Sequence, residues 1–208
     1  MRSLYVLKGT TVSYPLTLPQ IKSQLRIAHD EFDALVMSLH FPAAISWAEG
    51  ETHRAIALAN YLWVASDFPL LRDARIMLPM GRTQSVQRIT YATVGGGNTT
   101  LTGPSAADSS VSPVVPAGSD YTEDLGAPFG GVLVPPLTGW PSNVDLSATT
   151  PVRVAFRAGW AADDVPADIK IALMWYIQEA LDATGGADLP SNANFELKNT
   201  MLSGWKLR

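Results

Sequence analysis

The stretch Val152–Ala183 constrains the fold more than any other part of the chain, because a strand pattern in it passes directly into a helix pattern. Its first residues alternate between two sets, which are Val152, Val154 and Phe156 on one side and Arg153, Ala155 and Arg157 on the other. This period of two predicts a half-buried strand that ends near Trp160. Pro166 and Asp168 are typical of the first turn of a helix, which we expect over about Pro166–Ala183.

The predicted helix carries more apolar side chains than one core-facing stripe needs. At 100° per residue, that stripe consists of Ile169, Ala172, Leu173, Tyr176, Ile177 and Ala180. Ile171 and Trp175 lie on the opposite, polar face, and Met174 widens the apolar arc at its edge. Two interpretations stay open. The helix is buried on two sides inside one domain, or its second apolar surface is a subunit interface.

The N-terminal part of the chain predicts two helices. Thr17 and Gln20 fit a capping box, and a short helix should follow and run to about Arg26. Asp30 is placed to cap a second helix, whose apolar spacing continues toward Gly50. Pro42 lies inside that second helix, where it would cost about 3 kcal/mol, so we expect a kink or a break there.

Between the helical parts the apolar period changes to two, which predicts strands. We expect a strand over about Arg54–Ser66, a short one over Arg75–Leu78 and a third around Ile89. Gly95–Asn98 has the composition of a hairpin loop leading to a strand at Thr99–Thr102. The sheet is therefore expected to be antiparallel.

These patterns together predict an α+β fold. Helices at about 16–50 and 166–183 should form a small helical bundle, and an antiparallel β-rich region should be inserted at about 54–160. Within it, residues 103–150 are rich in Gly, Pro, Ser and Ala, and we expect an extended arm or a β-rich excursion there. One domain is predicted over 1–183.

Residues 184–208 form a C-terminal tail that is unusually apolar for a chain terminus. The tail contains Phe195, Leu197, Met201, Leu202 and Trp205. Tails of this composition usually dock onto something. The tail either packs on the core of its own chain or docks on another subunit or a partner.

The overall charge and composition exclude several classes of protein. A net charge of −4 and an isoelectric point near 5.3 argue against tight binding of nucleic acid, which depends on clustered Lys and Arg. The absence of cysteine excludes disulfides and thiolate metal sites. No apolar run is long enough for a membrane span or a signal peptide, so we expect the protein to be made and to stay in the cytoplasm.

The sequence contains no catalytic, metal-binding or cofactor-binding motif. The acidic run after His29 is better explained by helix-start residues than by metal ligands. There is no G-x-S-x-G elbow, and Gly95–Gly97 opens a strand rather than a helix that could hold a phosphate. Glu123–Asp124 and Asp163–Asp164 are adjacent carboxylates, which rarely converge on one ligand. We therefore expect no enzyme, no metal and no cofactor.

The chain contains 6 tryptophans, which allow a second functional hypothesis. If Trp140 and Trp160 are exposed, they could stack on sugar rings, as in a carbohydrate-binding accessory module. Tryptophans are more often core or interface anchors. A monomer whose fluorescence responds to glycans would favour the sugar-binding hypothesis.

Several segments follow one another in an order that resembles a known family. They are PLTLPQIKSQLRI, HDEFDALV, Asp67-Phe68-Pro69, LPMGRTQSVQRITY, Trp140-Pro141, VRVAFRAGW and VPADIKIALMWY. Together, over about Leu16–Ala183, they resemble the head-to-tail connector (adaptor) proteins of tailed bacteriophages and gene transfer agents. The final strand, the Val165-Pro166 turn and the Trp175-Tyr176 pair carry most of the resemblance.

The resemblance implies a structural virion protein without catalysis. Such a protein is a subunit of a homo-oligomeric ring, commonly a dodecamer, that lies beneath the portal protein in the neck of the particle. The ring extends the DNA channel with only weak DNA contact, and it provides the attachment platform for stopper or tail-completion proteins. Localisation in the virion, after assembly in the host cytoplasm, follows from this role, as does the absence of a membrane partner.

The resemblance also suggests which residues make contacts between proteins. Ile171, Trp175 and Met174 are assigned to the subunit interface. Docking on the portal or another partner is assigned to the apolar tail residues, which are Phe195, Leu197, Met201, Leu202 and Trp205. The segment 103–150 is expected to reach toward neighbouring tail or capsid proteins.

Overall fold

The computed structural model describes residues 3–27, 30–71, 74–104, 119–125, 130–184 and 199–206. Contacts divide the chain into two compact units. The β unit comprises Met1–Val12 and Ala59–Gly159, and the helical unit comprises Ser13–Leu58 and Trp160–Arg208. Across the described ranges, no helix combines the length and the hydropathy needed to cross a membrane.

Two sheets make up the β unit. In chain order, the strands of the described residues are β1 (Ser3–Ser13), β2 (Leu58–Ala65), β3 (Ile76–Met77), β4 (Thr83–Thr93), β5 (Gly97–Leu101), β6 (Thr122–Asp124), β7 (Val132–Val134) and β8 (Val152–Ala158). The larger sheet has five strands in the order β1-β2-β8-β4-β5, and the smaller has three in the order β3-β7-β6. The strand predicted at Val152 is therefore confirmed as the middle strand of the larger sheet.

Strand β8 shows why its sequence alternates. Antiparallel ladders join it to β2 and β4, so both of its edges are covered by neighbours. Val152, Val154 and Phe156 are buried on one face, whereas Arg153, Ala155 and Arg157 are half-buried on the other. On the buried face, the ring of Tyr61 stacks on that of Phe156 with a centroid distance of 5.5 Å. One apolar face of the sheet thus corresponds to one set of alternating residues.

The predicted hairpin is confirmed, whereas the predicted start of β2 is wrong. Gly95 and Gly96 have φ angles of 109° and 91° between β4 and β5, a conformation that glycine adopts without strain. Strand β2 begins at Leu58 rather than at about Arg54. The Ile56 N–H donates to Oε1 of Glu49 instead of joining the β2–β8 ladder.

The first helix, α1 (Leu18–Leu25), begins at the predicted capping box. The Thr17 N–H donates to Oε1 of Gln20 at 2.8 Å, and the Gln20 N–H donates to Oγ1 of Thr17 at 3.4 Å. These reciprocal bonds satisfy two amides that the helix itself leaves without acceptors. The helix ends at Arg26, which has a left-handed backbone.

The second helical stretch runs through Pro42 without ending there. It consists of α2 (Asp33–Leu35), a π-helix (Val36–His40) and α3 (Phe41–Thr52). In a regular α-helix the Pro42 ring would clash with a carbonyl four residues earlier. The wider π-turn directly before Pro42 changes the hydrogen-bond pattern at that point. The expected kink or break therefore takes the form of a change in helix type.

The start of this stretch differs from the prediction. Its N-cap residue is Phe32, without a side-chain hydrogen bond to the helix. Asp30, which was expected to cap it, instead pairs with the ammonium group of Lys22, as does Asp33. These hydrogen bonds raise the pKa of Lys22 above its ordinary value. Asp30 and Asp33 therefore form ion pairs that link α1 to the start of the second helical stretch.

A single apolar core holds the helical unit together. The helix α4 (Ala167–Thr184) contributes Ile169, Leu173 and Ile177, which are completely buried. Ile21 of α1 and Phe41 of α3 belong to the same core. The α+β class is therefore confirmed, while the predicted arrangement of the helices as a bundle stays a prediction.

The described parts of 103–150 form a β-rich excursion that packs within the β unit. Strands β6 and β7 lie in this segment and pair in antiparallel register. Trp140 stacks on Phe68 with a centroid distance of 5.3 Å, and its indole N–H donates to the carbonyl of Ala74 at 2.7 Å. Residues 105–118 and 126–129 lie outside the described part of the chain.

Candidate interaction surfaces

The predicted interface residues of α4 occupy two different environments. Met174 is partly buried and packs against the core of the helical unit. Ile171 and Trp175 are half-buried and follow the helical period onto the side away from Ile169 and Leu173. The structure thus brings Met174 toward the core, while Ile171 and Trp175 leave part of their apolar surface exposed to solvent.

A shallow groove lies between α1 and α4 beside these residues. Its lining consists of Leu16, Pro19, Gln20, Ser23, Gln24, Lys170 and Met174. Leu16, Pro19 and Met174 supply the apolar part of this lining, and two glutamines, a serine and a lysine supply the polar part. This combination of apolar and polar side chains is typical of a protein–protein contact.

The described part of the C-terminal tail packs on its own unit. Residues 199–203 are helical, and the Leu202 side chain is 0% exposed within the core. Met201 and Trp205 pack against that core. The ring of Trp205 lies edge-on to the ring of Trp160, with a centroid distance of 6.1 Å. The backbone carbonyl of Trp205 accepts a 2.7 Å hydrogen bond from Nε of Arg54. This placement corresponds to the first of the two alternatives for the tail.

The other two predicted docking residues, Phe195 and Leu197, lie outside the described residues. Lys206, next to Trp205, pairs with Glu51 at 2.7 Å on the surface. Docking of the tail on a partner stays a prediction. The Leu202 side chain is completely buried in its own unit and therefore has no surface left for a partner.

The sugar-binding hypothesis required two exposed tryptophans, and that expectation is wrong. Trp140 is 8% exposed and Trp160 is 5% exposed. One face of Trp140 is covered by Phe68, and Trp160 is packed in the core of the helical unit. An indole buried in this way cannot present a flat ring to a sugar.

A half-buried carboxyl in the β unit was missed by the sequence reasoning. Glu123 lies on β6, and burial raises its pKa to about 7, although hydrogen bonds from Tyr121 and the Val86 backbone oppose the change. Burial also raises the pKa of the Tyr121 hydroxyl. Asp124, the next residue of the strand, is exposed, so the adjacent carboxylates do not converge. Among the described residues, Oε1 of Glu123 has no hydrogen-bond partner.

Comparison with known proteins gives a likeness in structure but none in sequence. No family model and no curated protein matches the chain. A chain in the neck of an empty gene transfer agent particle, computed with C6 symmetry, superimposes with a TM-score of 0.70 at 17% identity. The match covers 99% of this chain and 96% of that chain. The chain has the fold of a gene transfer agent neck protein.

Two further solved structures share this fold. A chain of the virion of a native gene transfer agent particle matches with a TM-score of 0.69 at 15% identity. A chain of the neck of a native particle, computed with C12 symmetry, matches with a TM-score of 0.66 at 17% identity. Each match covers 99% of this chain and 96% of the other. The resemblance predicted from the sequence is thereby confirmed at the level of the fold.

Proposed function

We propose that this chain is a structural subunit of the neck of a phage-like particle, acting as a head-to-tail connector (adaptor). The observation that carries the proposal is the shared fold over 99% of the chain with a protein whose structure is described as a particle neck. The likeness extends over both units, so it is not limited to a single supersecondary motif that unrelated proteins often share. The role is structural, and the subunit performs no catalysis.

The subunit forms a homo-oligomeric ring, a dodecamer, in which each copy contributes two different patches. A heterologous interface of this kind closes into a ring when the rotation between copies matches the symmetry. One patch consists of Ile171 and Trp175 on α4, next to Met174 and the groove beside α1. Burial of this apolar surface in the ring explains why the helix carries more apolar residues than its own core uses.

The ring lies beneath the portal protein in the virion and serves as the platform for stopper or tail-completion proteins. The tail supplies the docking surface, through Phe195 and Leu197 together with the exposed parts of Met201 and Trp205. Leu202 anchors this segment to the helical unit, because its side chain is completely buried. The subunit has only weak contact with DNA and none with a membrane, and it assembles in the host cytoplasm.

Native mass determination of the purified chain, alone and mixed with the portal protein encoded near it, tests this role. We expect a ring, or a monomer that joins the portal stoichiometrically. A monomer that ignores the portal would contradict the connector role.

An interface variant makes the same test specific to α4. Trp175→Ala combined with Ile171→Ala should abolish the ring or the portal complex while leaving the melting temperature within a few degrees of the original. The matched control is Leu137→Ala with Leu146→Ala, which removes two exposed leucines of the β unit. Equal loss of assembly in both double variants would show that α4 is not the interface.

A further inference from the structure

The charges of this acidic chain are not evenly distributed. The strands β1, β2, β4, β5 and β8 of the larger sheet carry Lys8, Arg88, Arg153 and Arg157 and no Asp or Glu. The net charge of the whole chain is −4. The larger sheet is therefore a positively charged element in a chain whose remaining residues are strongly acidic.

Strand register places three of these residues side by side on one face. Arg153 and Arg157 lie on the half-buried face of β8, on either side of Ala155. Arg88 of β4 pairs with Ala155, so its side chain emerges between the two. Residues two apart on a strand are separated by about 7 Å. We call this surface, defined by Arg88, Arg153 and Arg157, the arginine face.

A β-bulge in β4 creates this arrangement. Val86 pairs with Phe156 and Arg88 pairs with Ala155, so Gln87 is the extra residue between them. Without the bulge, Gln87 would lie opposite Ala155, and Arg88 would point into the buried face. Bulges re-aim side chains in this way and are common where a sheet carries a function.

The arginine face lacks the acidic partners that usually neutralise such a cluster. Within the described residues, no carboxylate forms an ion pair with Arg88, Arg153 or Arg157. Nη2 of Arg153 donates to the neutral amide of Asn98, at 3.5 Å. The Nε atoms of Arg153 and Arg157 are buried and have no hydrogen-bond partner in the described part of the chain. Like charges held this close destabilise the sheet, and an anionic ligand would reverse the effect.

The surroundings of the arginines distinguish between kinds of anion. Asn60 lies opposite Arg157, Thr90 lies opposite Arg153, and Asn98 accepts a hydrogen bond from Arg153. Leu62 and Val64 of β2 lie on the same face, opposite Ala155 and Arg153. By register, no aromatic residue lies on this face of β2, β4 or β8, so it offers no platform for unpaired bases. Three arginines lie around Ala155 at the middle of this face, whereas the central part of a typical protein interface is depleted of charge.

We propose that the arginine face binds the phosphate backbone of double-stranded nucleic acid. Arginine, threonine and asparagine side chains are typical phosphate ligands. Arg153 and Arg157 are four residues, or about 13 Å, apart along β8, and Arg88 of β4 lies between them, so the three side chains can contact neighbouring phosphates of one backbone. Three contacts make a weak, salt-sensitive and sequence-independent site. Such a site is compatible with the acidic character of the rest of the chain. It names the surface for the weak DNA contact of the proposed function and rests on that proposal for its role in a particle, whereas the binding itself is argued from strand register and charge.

Fluorescence anisotropy of a labelled 20-base-pair DNA duplex, titrated with the isolated chain at low salt, tests the proposal. The test variant combines Arg88→Gln, Arg153→Gln and Arg157→Gln. The control variant removes the same charge outside the larger sheet, through Arg26→Gln, Arg75→Gln and Arg82→Gln. We expect at least a tenfold loss of affinity in the test variant. The slope of log affinity against log salt should also fall by about 2 to 3.

Further arms separate the alternatives. Arg88→Gln alone, at the exposed member of the cluster, should lower the salt slope by about 1 and covers the case in which the triple variant does not fold. An RNA duplex should bind as well as DNA does. Equal losses in test and control variants, or arginine-dependent binding of poly-glutamate without binding of either duplex, would overturn the proposal. Because the isolated chain is used, failure here leaves the ring test unaffected.

Discussion

Glu123 is a residue whose protonation changes within the physiological pH range. Its pKa is about 7 in the folded chain, against an ordinary value of 4.5, mainly because of burial. The folded state therefore holds this proton more tightly than the unfolded state does. The resulting stabilisation is complete below pH 4.5 and is lost as the pH rises toward 7 and beyond.

This difference predicts a measurable pH dependence of stability. The free energy of unfolding should fall by on the order of 1 kcal/mol between pH 5 and 8. This is less than the full pKa difference would give, because solvent screens a carboxyl that is only half-buried. Glu123→Gln should flatten this slope, because the amide cannot ionise. Urea unfolding at several pH values measures it. Asp124→Asn is the control, and a slope unchanged in Glu123→Gln would contradict the assignment.

Leu202 gives a second prediction at the scale of one residue. Its side chain is completely buried, so Leu202→Ala should lower the free energy of unfolding by about 2 to 4 kcal/mol. Met201→Ala, at a partly buried neighbour, should cost clearly less. Thermal or urea denaturation measures both. Equal, small effects would mean that the tail adds nothing to the core and is free to dock elsewhere.

At the scale of elements, α1 depends on contacts that are local in sequence. The capping box needs only Thr17 and Gln20, three residues apart, and both hydrogen bonds were expected from the sequence. Thr17→Ala should destabilise the chain by about 1 kcal/mol. Thr17→Ser is the matched control, since it keeps the hydroxyl, and it should leave urea denaturation nearly unchanged. A loss as large in Ser as in Ala would mean that the hydroxyl is not responsible.

Strand β4 shows where local patterns stop being sufficient. Val86 and Ile89 are both buried, although a strict period of two would place them on opposite faces. The bulge at Gln87 resolves this conflict, and its position depends on pairing with β8. For the same reason, no local pattern could reveal that Arg88 lies between Arg153 and Arg157.

At the scale of the whole molecule, the chain is two units whose segments alternate along the sequence. The β unit is completed by Met1–Val12, and the helical unit by Trp160–Arg208. The junction at Gly159 and Trp160 therefore connects the central strand of the β unit to the segment of the helical unit that leads into α4. The division predicted between residues 183 and 184 rested on composition alone and stays a prediction.

Assembly is the property that belongs to this largest scale. Ile171 and Trp175 have apolar surface that their own unit does not fully cover. A closed ring would bury that surface once per subunit, and for this reason the double variant at these positions is expected to affect assembly far more than folding. The fold by itself does not reveal the neighbours, which is why the portal mixture is the decisive experiment.

The sequence by itself determined the features that depend on nearby residues. These features are the capping box before α1, the alternation of β8, the glycine hairpin and the boundaries of α4, because each arises from backbone preferences and side chains within one turn or one strand. Only the tertiary structure decided the burial of Trp140, Trp160 and Leu202, the bulge that turns Arg88 outward, and the raised pKa of Glu123. These depend on partners far away in the chain, whose distances and solvent exclusion exist only after the strands pair and the cores close.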